Sequence, residues 1–194
     1  MGGRIGIFGG SFDPPHLGHL IIAEHIAEKA RLDKVIWVPA RVPPHKEKDS
    51  LSKAEDRLKM VMLAISGNPL FEVSRIELSP DQPPWTINML LFFKNKYPED
   101  ELHLIIGGDS LNDFTTWKDY RKLLKMVEID VALRPGYDKK RAYKKVLMES
   151  NIIDCPQIDI SATKIRESVK KGNSIRYLVS ENVRNFIIEN KLYR

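Results

Sequence analysis

Cysteine is almost missing from this chain: its 194 residues include one, Cys155. That excludes a disulfide within the chain and argues against a cysteine-based zinc site, and it reads as a small core residue in a reducing compartment. Long apolar runs are missing too. None approaches the ~18 residues that a membrane-spanning helix needs. The short strand-like run from Arg4 to Phe8 passes directly into glycines, so no cleavable leader is expected. The expected location is cytoplasmic, with no membrane partner. Internal repeats, low-complexity tracts and linker-like breaks in composition are also lacking. There is no acidic excess: 31 Lys and Arg against 26 Asp and Glu leave a net charge of +5, with 42% hydrophobic residues. Such a chain is expected to fold as one domain over residues 1–194. Its mild basic excess favours anionic ligands, and nucleic acid or a small phosphorylated molecule would both fit. The one basic cluster, Lys139-Lys140-Arg141 with Lys144-Lys145, reads as a solvated helix face.

What is present is an alternation of strand-like and helix-like segments. It predicts an α/β fold: a Rossmann-like open parallel sheet with helices on both faces and a C-terminal helical extension. Strands are expected at 5–8, 34–39, 71–78, 102–106 and 129–133, with 158–160 short and extended. Ser52-Lys53-Ala54-Glu55 has the form of a capping box, opening a helix whose apolar face includes Leu58, Met62 and Ile65. Residues 138–149 predict a charged amphipathic helix. In open parallel sheets, ligands gather at the carboxyl ends of the strands. Four segments fall there: 9–19, 43–46, Gly107-Gly108-Asp109 and Arg134-Pro135-Gly136.

The first carries the strongest signal, Gly9-Gly10-Ser11-Phe12-Asp13-Pro14-Pro15-His16-Leu17-Gly18-His19. Glycines after a strand let backbone approach an anion, and the amides and dipole of the following helix favour phosphate. His16 and His19, three residues apart, can point at one spot and offset charge that develops during transfer. No Gly-Lys-Ser/Thr follows and the third glycine of the dinucleotide fingerprint is missing, so both of those motifs are excluded. Asp13 would repel phosphate if it pointed inward and is expected to hydrogen-bond within its own turn. A second constellation is Ile160-Ser161-Ala162-Thr163-Lys164-Ile165-Arg166. Ser161 reads as an N-cap whose following amides can hold phosphate, with the Thr163 hydroxyl and the Arg166 guanidinium in reach.

These two stretches resemble the Gly-Gly-Ser-Phe-Asp-Pro-x-His-x-Gly-His and Ile-Ser-Ser-Thr-x-Ile-Arg motifs of the nucleotidylyltransferase superfamily, with Ala162 in place of the middle serine. Within it, Pro43-Pro44-His45-Lys46, Gly107-x-Asp109-Ser110-Leu111 with Trp117, and Arg134-Pro135-Gly136 are similar to the nicotinate-nucleotide adenylyltransferase branch. Trp85-Thr86 stands where that branch has Tyr-Thr, and Asn88-Met89 departs from the Asp-Thr that often follows. The resemblance implies AMP transfer from ATP to nicotinate mononucleotide, with Mg2+ bound with ATP and no nucleic-acid partner. It implies catalytic roles for His16, His19, Arg166 and Lys46. It places Gly9, Gly10, Ser11, Phe12, Gly107, Asp109, Ser161 and Thr163 around ATP. It places Lys46, Trp85, Thr86, Asp109, Trp117 and Arg134 around the acceptor. The acceptor segments 85–86 and 116–118 hold no Asp or Glu before Asp119, so an acid is expected to be preferred over an amide. Other acceptors (nicotinamide mononucleotide, phosphopantetheine) stay open at this stage. So do a non-catalytic nucleotide or RNA binder and the oligomeric state, a homo-oligomer included.

Overall fold

Strands buried on both faces need apolar side chains without alternation, and Val35-Ile36-Trp37-Val38 and Leu104-Ile105-Ile106 supply them. A computed structural model describes residues 2–41, 51–79, 85–133, 144–156 and 158–194. Among these, strands β1 (Arg4–Gly10), β2 (Lys34–Pro39), β3 (Phe71–Val73), β4 (Glu101–Gly107), β5 (Glu128–Leu133) and β6 (Asn151–Asp154) form one sheet. Every pairing is parallel and the order is β3-β2-β1-β4-β5-β6. The helices are α1 (Leu17–Ala30), α2 (Ala54–Ile65), α3 (Thr86–Lys96), α4 (Gly108–Asp113), α5 (Tyr120–Met126), α6 (Lys144–Met148), α7 (Ala162–Lys170) and α8 (Glu181–Glu189).

The alternation within β1 divides the core. Ile5 and Ile7 pack with Ile87, Leu90 and Phe93 of α3 on one face of the sheet. Phe8 packs with Trp37, with Ala23 and Ile26 of α1 and with Val61 of α2 on the other. A third cluster joins Met60 of α2 to Ile165 of α7 and to Val183 and Ile187 of α8. At ~1.5–3 kcal/mol per fully buried aliphatic side chain, this cluster fastens the C-terminal helical extension to the sheet through α2. No helix among the described residues is long and apolar enough to cross a membrane.

Several expected elements differ. The strand expected over 71–78 stops at Val73, and a 3-10 turn follows at Ile76–Leu78. The Ser74 hydroxyl accepts from the Ile76 amide at 3.3 Å, offering a local partner in place of the ladder. Strand β6 was not expected, because Asn151 and Asp154 frame only two apolar residues. The capping box at 52–55 does not form: Lys53 is the N-cap of α2 and makes no side-chain cap. The Ser52 amide donates to Asp13, and Glu55 pairs with Arg75 at 3.0 Å. Met62 is 46% exposed, while Arg57 occupies an inward position of α2. Residues 158 and 160 lie outside any strand. Of the helix expected over 138–149, α6 is described and 138–143 lie outside the described residues.

Candidate active site

The chain winds outward in one direction from β1 to β2 and β3, and in the other through β4, β5 and β6. The loops leaving β1 and β4 therefore diverge, and a crevice opens between their carboxyl ends. Two cavities lie there, both bordered by Phe8, Gly107 and Asp109. One, of about 500 Å³, is also bordered by Gly9, Gly10, Glu77, Trp85, Thr86 and Trp117. The other, of about 190 Å³, is bordered by His19 and Ala132.

The glycine-rich turn is set by packing. Strand β1 runs on through Gly10, and the left-handed residue is Phe12 (φ 47°), not Gly9 or Gly10. The Phe12 ring is 1% exposed and meets Phe8, Trp37 and His19 with centroids 5.1–5.5 Å apart. A Cβ on Gly10 would meet that ring at 3.0 Å. Above Gly9 nothing lies within 4 Å of an added Cβ, so this stretch of backbone is open to the cavity.

His16 is the N-cap of α1, and His19 lies in its first turn. Their rings stack at 3.7 Å, inclined by 23°. Such closeness needs room beside the His16 ring, and Gly18 provides it: a Cβ there would sit 3.1 Å from His16 Nδ1. The His16 amide donates to Nδ1 of His19 at 3.2 Å. In the neutral ring this leaves the proton on Nε2 of His19, a donor on a residue that borders the smaller cavity.

The second motif arrives from the far side of the sequence. The Ser161 side chain caps α7 by accepting from the Lys164 amide at 3.2 Å. Arg166 donates through Nη1 to the Asp13 carbonyl at 2.8 Å and through Nη2 to Thr163 Oγ1 at 3.3 Å. The two motifs are therefore in direct contact across 153 positions. Trp85 and Trp117 both border the larger cavity. Trp117 packs on Phe114 at 5.0 Å, and Lys118 Nζ lies 5.4 Å from the ring centre of the 40% exposed Trp85. Asp109 lies in the first turn of α4 and borders both cavities, while Gly107 is that helix's N-cap. Lys46 and Arg134 lie outside the described residues.

Asp13 departs from expectation. It is fully buried, and its carboxylate reaches out of its own turn. Oδ1 accepts from the Tyr193 hydroxyl at 2.7 Å and Oδ2 from the Ser52 amide at 3.2 Å. Burial and the Asp13 charge hold the Tyr193 hydroxyl far above a phenol's usual range, so it stays a donor. Beside it lies Arg57, 1% exposed, which donates to the carbonyls of Ser11, Ala40, Arg41 and Ser52 at 2.5–3.1 Å. Burial lowers its pKa, partly offset by Asp13 and Tyr193.

The expectation that acidic side chains are kept from the acceptor segments needs revision. Besides Asp109, which was expected around the acceptor, folding brings Glu77 and Asp113 to the wall that holds Trp85 and Trp117. Burial pushes the Glu77 carboxyl up to about 7. Among the described residues no group of three or more His, Cys, Asp or Glu could hold a metal ion. A magnesium ion that arrives on a triphosphate asks less, one or two carboxylates with the phosphates and water completing its shell. Asp109 fits that need by its position and its donor chemistry.

Comparison with known proteins agrees with this layout. The cytidylyltransferase-like family model matches residues 7–168. A Rubrobacter xylanophilus protein named probable nicotinate-nucleotide adenylyltransferase is 41% identical over 197 residues, covering 98% of this chain and 92% of its own. A Geobacillus thermodenitrificans protein of the same name is 39% identical over 191 residues, covering 98% and 86%. Two solved structures of Plasmodium falciparum nicotinic acid mononucleotide adenylyltransferase, complexed with APC and with NaAD, match at TM-scores of 0.81 and 0.82. Each is 21% identical, covers 98% of this chain and 97% of its own, and bears on the fold alone. On the family model and the full-length relatives together, the chain belongs to the cytidylyltransferase-like family and, within it, to the nicotinate-nucleotide adenylyltransferases.

Proposed function

We propose that this protein transfers AMP from ATP to nicotinate mononucleotide, releasing pyrophosphate and nicotinate adenine dinucleotide. The acceptor's phosphate oxygen attacks the α-phosphorus of ATP, a new P–O bond forms, and the bond from that phosphorus to the bridging oxygen of pyrophosphate breaks. The nucleophile is already ionised at neutral pH, so no general base is needed. Catalysis then comes from alignment and from stabilising the charge that builds on the transferred phosphoryl group. His19 Nε2–H, Arg166 and the open backbone at Gly9 are the groups proposed to face the phosphates, with His16 stacked behind His19 and Lys46 contributing a further charge. Magnesium, carried with ATP, neutralises part of the triphosphate charge.

The observation that carries this reading is the pair of neighbouring cavities that share Phe8, Gly107 and Asp109. The turn from Gly9 to His19 touches both, His19 at the smaller and Gly9 and Gly10 at the larger, which two tryptophans wall. A flat pyridine ring suits the aromatic chamber. The test is pyrophosphate release from ATP and magnesium over a panel of acceptors: nicotinate mononucleotide, nicotinamide mononucleotide and phosphopantetheine. Turnover with nicotinate mononucleotide alone, or best with it, is expected. Release that ignores all three would refute the reading.

A further inference from the structure

Three segments remote in sequence converge on one residue of the phosphate turn. Asp13 takes a hydrogen bond on its carbonyl from Arg166, and on its two carboxylate oxygens from Tyr193 and Ser52. Tyr193 is delivered there by an unusual stretch of backbone. Helix α8 ends in a Schellman pattern, Leu192 N–H to Ile187 O at 3.0 Å and Lys191 N–H to Ile188 O at 3.2 Å. Lys191 occupies its left-handed position (φ 51°), and Tyr193 itself is left-handed (φ 64°). Neither is a glycine, so the surrounding contacts must hold both. Leu192 and Tyr193 pack on the cluster shared by α2, α7 and α8, and the Tyr193 hydroxyl also lies 3.8 Å from Met60 Sδ.

A carboxylate beside a phosphate site is a hazard, because loose in the crevice it would repel the ligand. Here both of its oxygens are turned away and engaged, and Arg57 lies close enough to compensate its charge. The same arrangement fixes the Asp13 carbonyl, which takes one Arg166 N–H at 2.8 Å. A guanidinium has five N–H groups, and holding it by this edge directs its plane.

We propose that Tyr193 is a positioning residue for AMP transfer: its hydroxyl locks the Asp13 carboxylate, and the Asp13 carbonyl thereby sets the orientation of Arg166 toward the ATP phosphates. The proposal rests on the activity proposed above for its catalytic readout, but its binding readout is independent of any acceptor. The test compares wild type, Tyr193→Phe, Arg166→Lys and the double variant. It measures pyrophosphate release with nicotinate mononucleotide, and the Kd for ATP with magnesium by calorimetry. Tyr193→Phe removes only the hydroxyl. It should lower kcat/KM for ATP by about tenfold, the size expected for a hydrogen bond to a charged group, and leave the KM for the acceptor within about twofold. In the Arg166→Lys background the same change should cost less than about threefold, because it acts through the group already altered. The ATP Kd values should show the same non-additivity.

Equal losses in both backgrounds would overturn the proposal. So would a lower Tm with unchanged ATP kinetics and Kd, since Tyr193 would then only fasten α8. If Tyr193→Phe fails to fold, Asp13→Asn, which preserves shape, takes its place in the cycle, and additivity there overturns the proposal equally. A wild type that binds ATP but transfers nothing to nicotinate mononucleotide refutes the activity reading, while the Kd cycle still decides the role of Tyr193.

Discussion

Replacing Glu77 by glutamine should stabilise this protein, increasingly as pH rises from 4.5 to about 7 and fully above that. The side chain lies on the turn after β3 and borders the tryptophan-walled cavity, where burial raises its pKa from 4.5 to about 7. In the unfolded chain it ionises near its ordinary value. Below pH 4.5 it is protonated in both states, and its full contribution to stability is present. As pH rises toward 7 the unfolded chain has already released the proton that the folded state retains, and stability falls. At ~1.4 kcal/mol per pH unit, the step from 4.5 to about 7 costs wild type about 3 kcal/mol once both states are ionised. Glutamine has no proton to lose. Glu77→Gln should therefore match wild type at acid pH and exceed it by up to about 3 kcal/mol above pH 8. At 2–4 °C per kcal/mol for a chain of this size, that is roughly 6–12 °C in Tm. Urea unfolding at several pH values from 4.5 to 9 measures the difference directly. Parallel stability curves would refute the reasoning, because they would mean that Glu77 ionises alike in both states. The same cavity is the proposed seat of the acceptor's pyridine ring, which bears its carboxylate. The KM for nicotinate mononucleotide should accordingly rise as pH passes 7 in wild type and stay level in Glu77→Gln, since only wild type develops a like charge.

Three further outcomes are expected. His19→Ala should lower kcat by about a hundredfold or more with little change in ATP affinity, as for a group that serves the transition state; near-normal steady-state turnover by the folded variant would remove it from that role. Arg166→Lys keeps the charge but loses the fork that grips both Asp13 and Thr163, so kcat/KM for ATP should fall; unchanged ATP kinetics would reduce Arg166 to a structural tie. Trp117→Ala should raise the KM for nicotinate mononucleotide and leave that for ATP nearly constant; if acceptor kinetics do not move, Trp117 serves only to pack on Phe114.

The parallel α/β layout was legible because each long strand is a short apolar run closed by glycine or proline, as in Ile105-Ile106-Gly107 and Trp37-Val38-Pro39. The helix starts of both motifs proposed to face phosphate were legible because helix N-termini carry local signals, a serine cap at Ser161 and paired histidines at His16 and His19. What the sequence hid was long-range. Glu77 looked like one side of an alternating strand, and only the early end of β3 turned it toward the tryptophans. Tyr193 carries no local mark of its contact with Asp13, 180 positions away. Arg57 did leave a trace. It falls on the inward stripe of α2 with Met60, Val61 and Ile65, where a charged residue is out of place on a surface helix. A cation on an apolar stripe was the signal that something buried must satisfy it.

That arginine has a consequence for anyone who rewrites this protein. Among the described residues its four acceptors are all main-chain carbonyls, at Ser11, Ala40, Arg41 and Ser52. It reads the path of the chain and is blind to the side chains it touches. Through it the carbonyls of Ala40, Arg41 and Ser52 are tied to that of Ser11 in the glycine-rich turn. Substitutions there leave the brace intact wherever they keep the same backbone course. At position 57 the freedom disappears, because a lysine ammonium offers three N–H donors from one point, and these carbonyls are spread around a plane. A saturation library should find position 57 closed to every other residue and its neighbours in space broadly permissive.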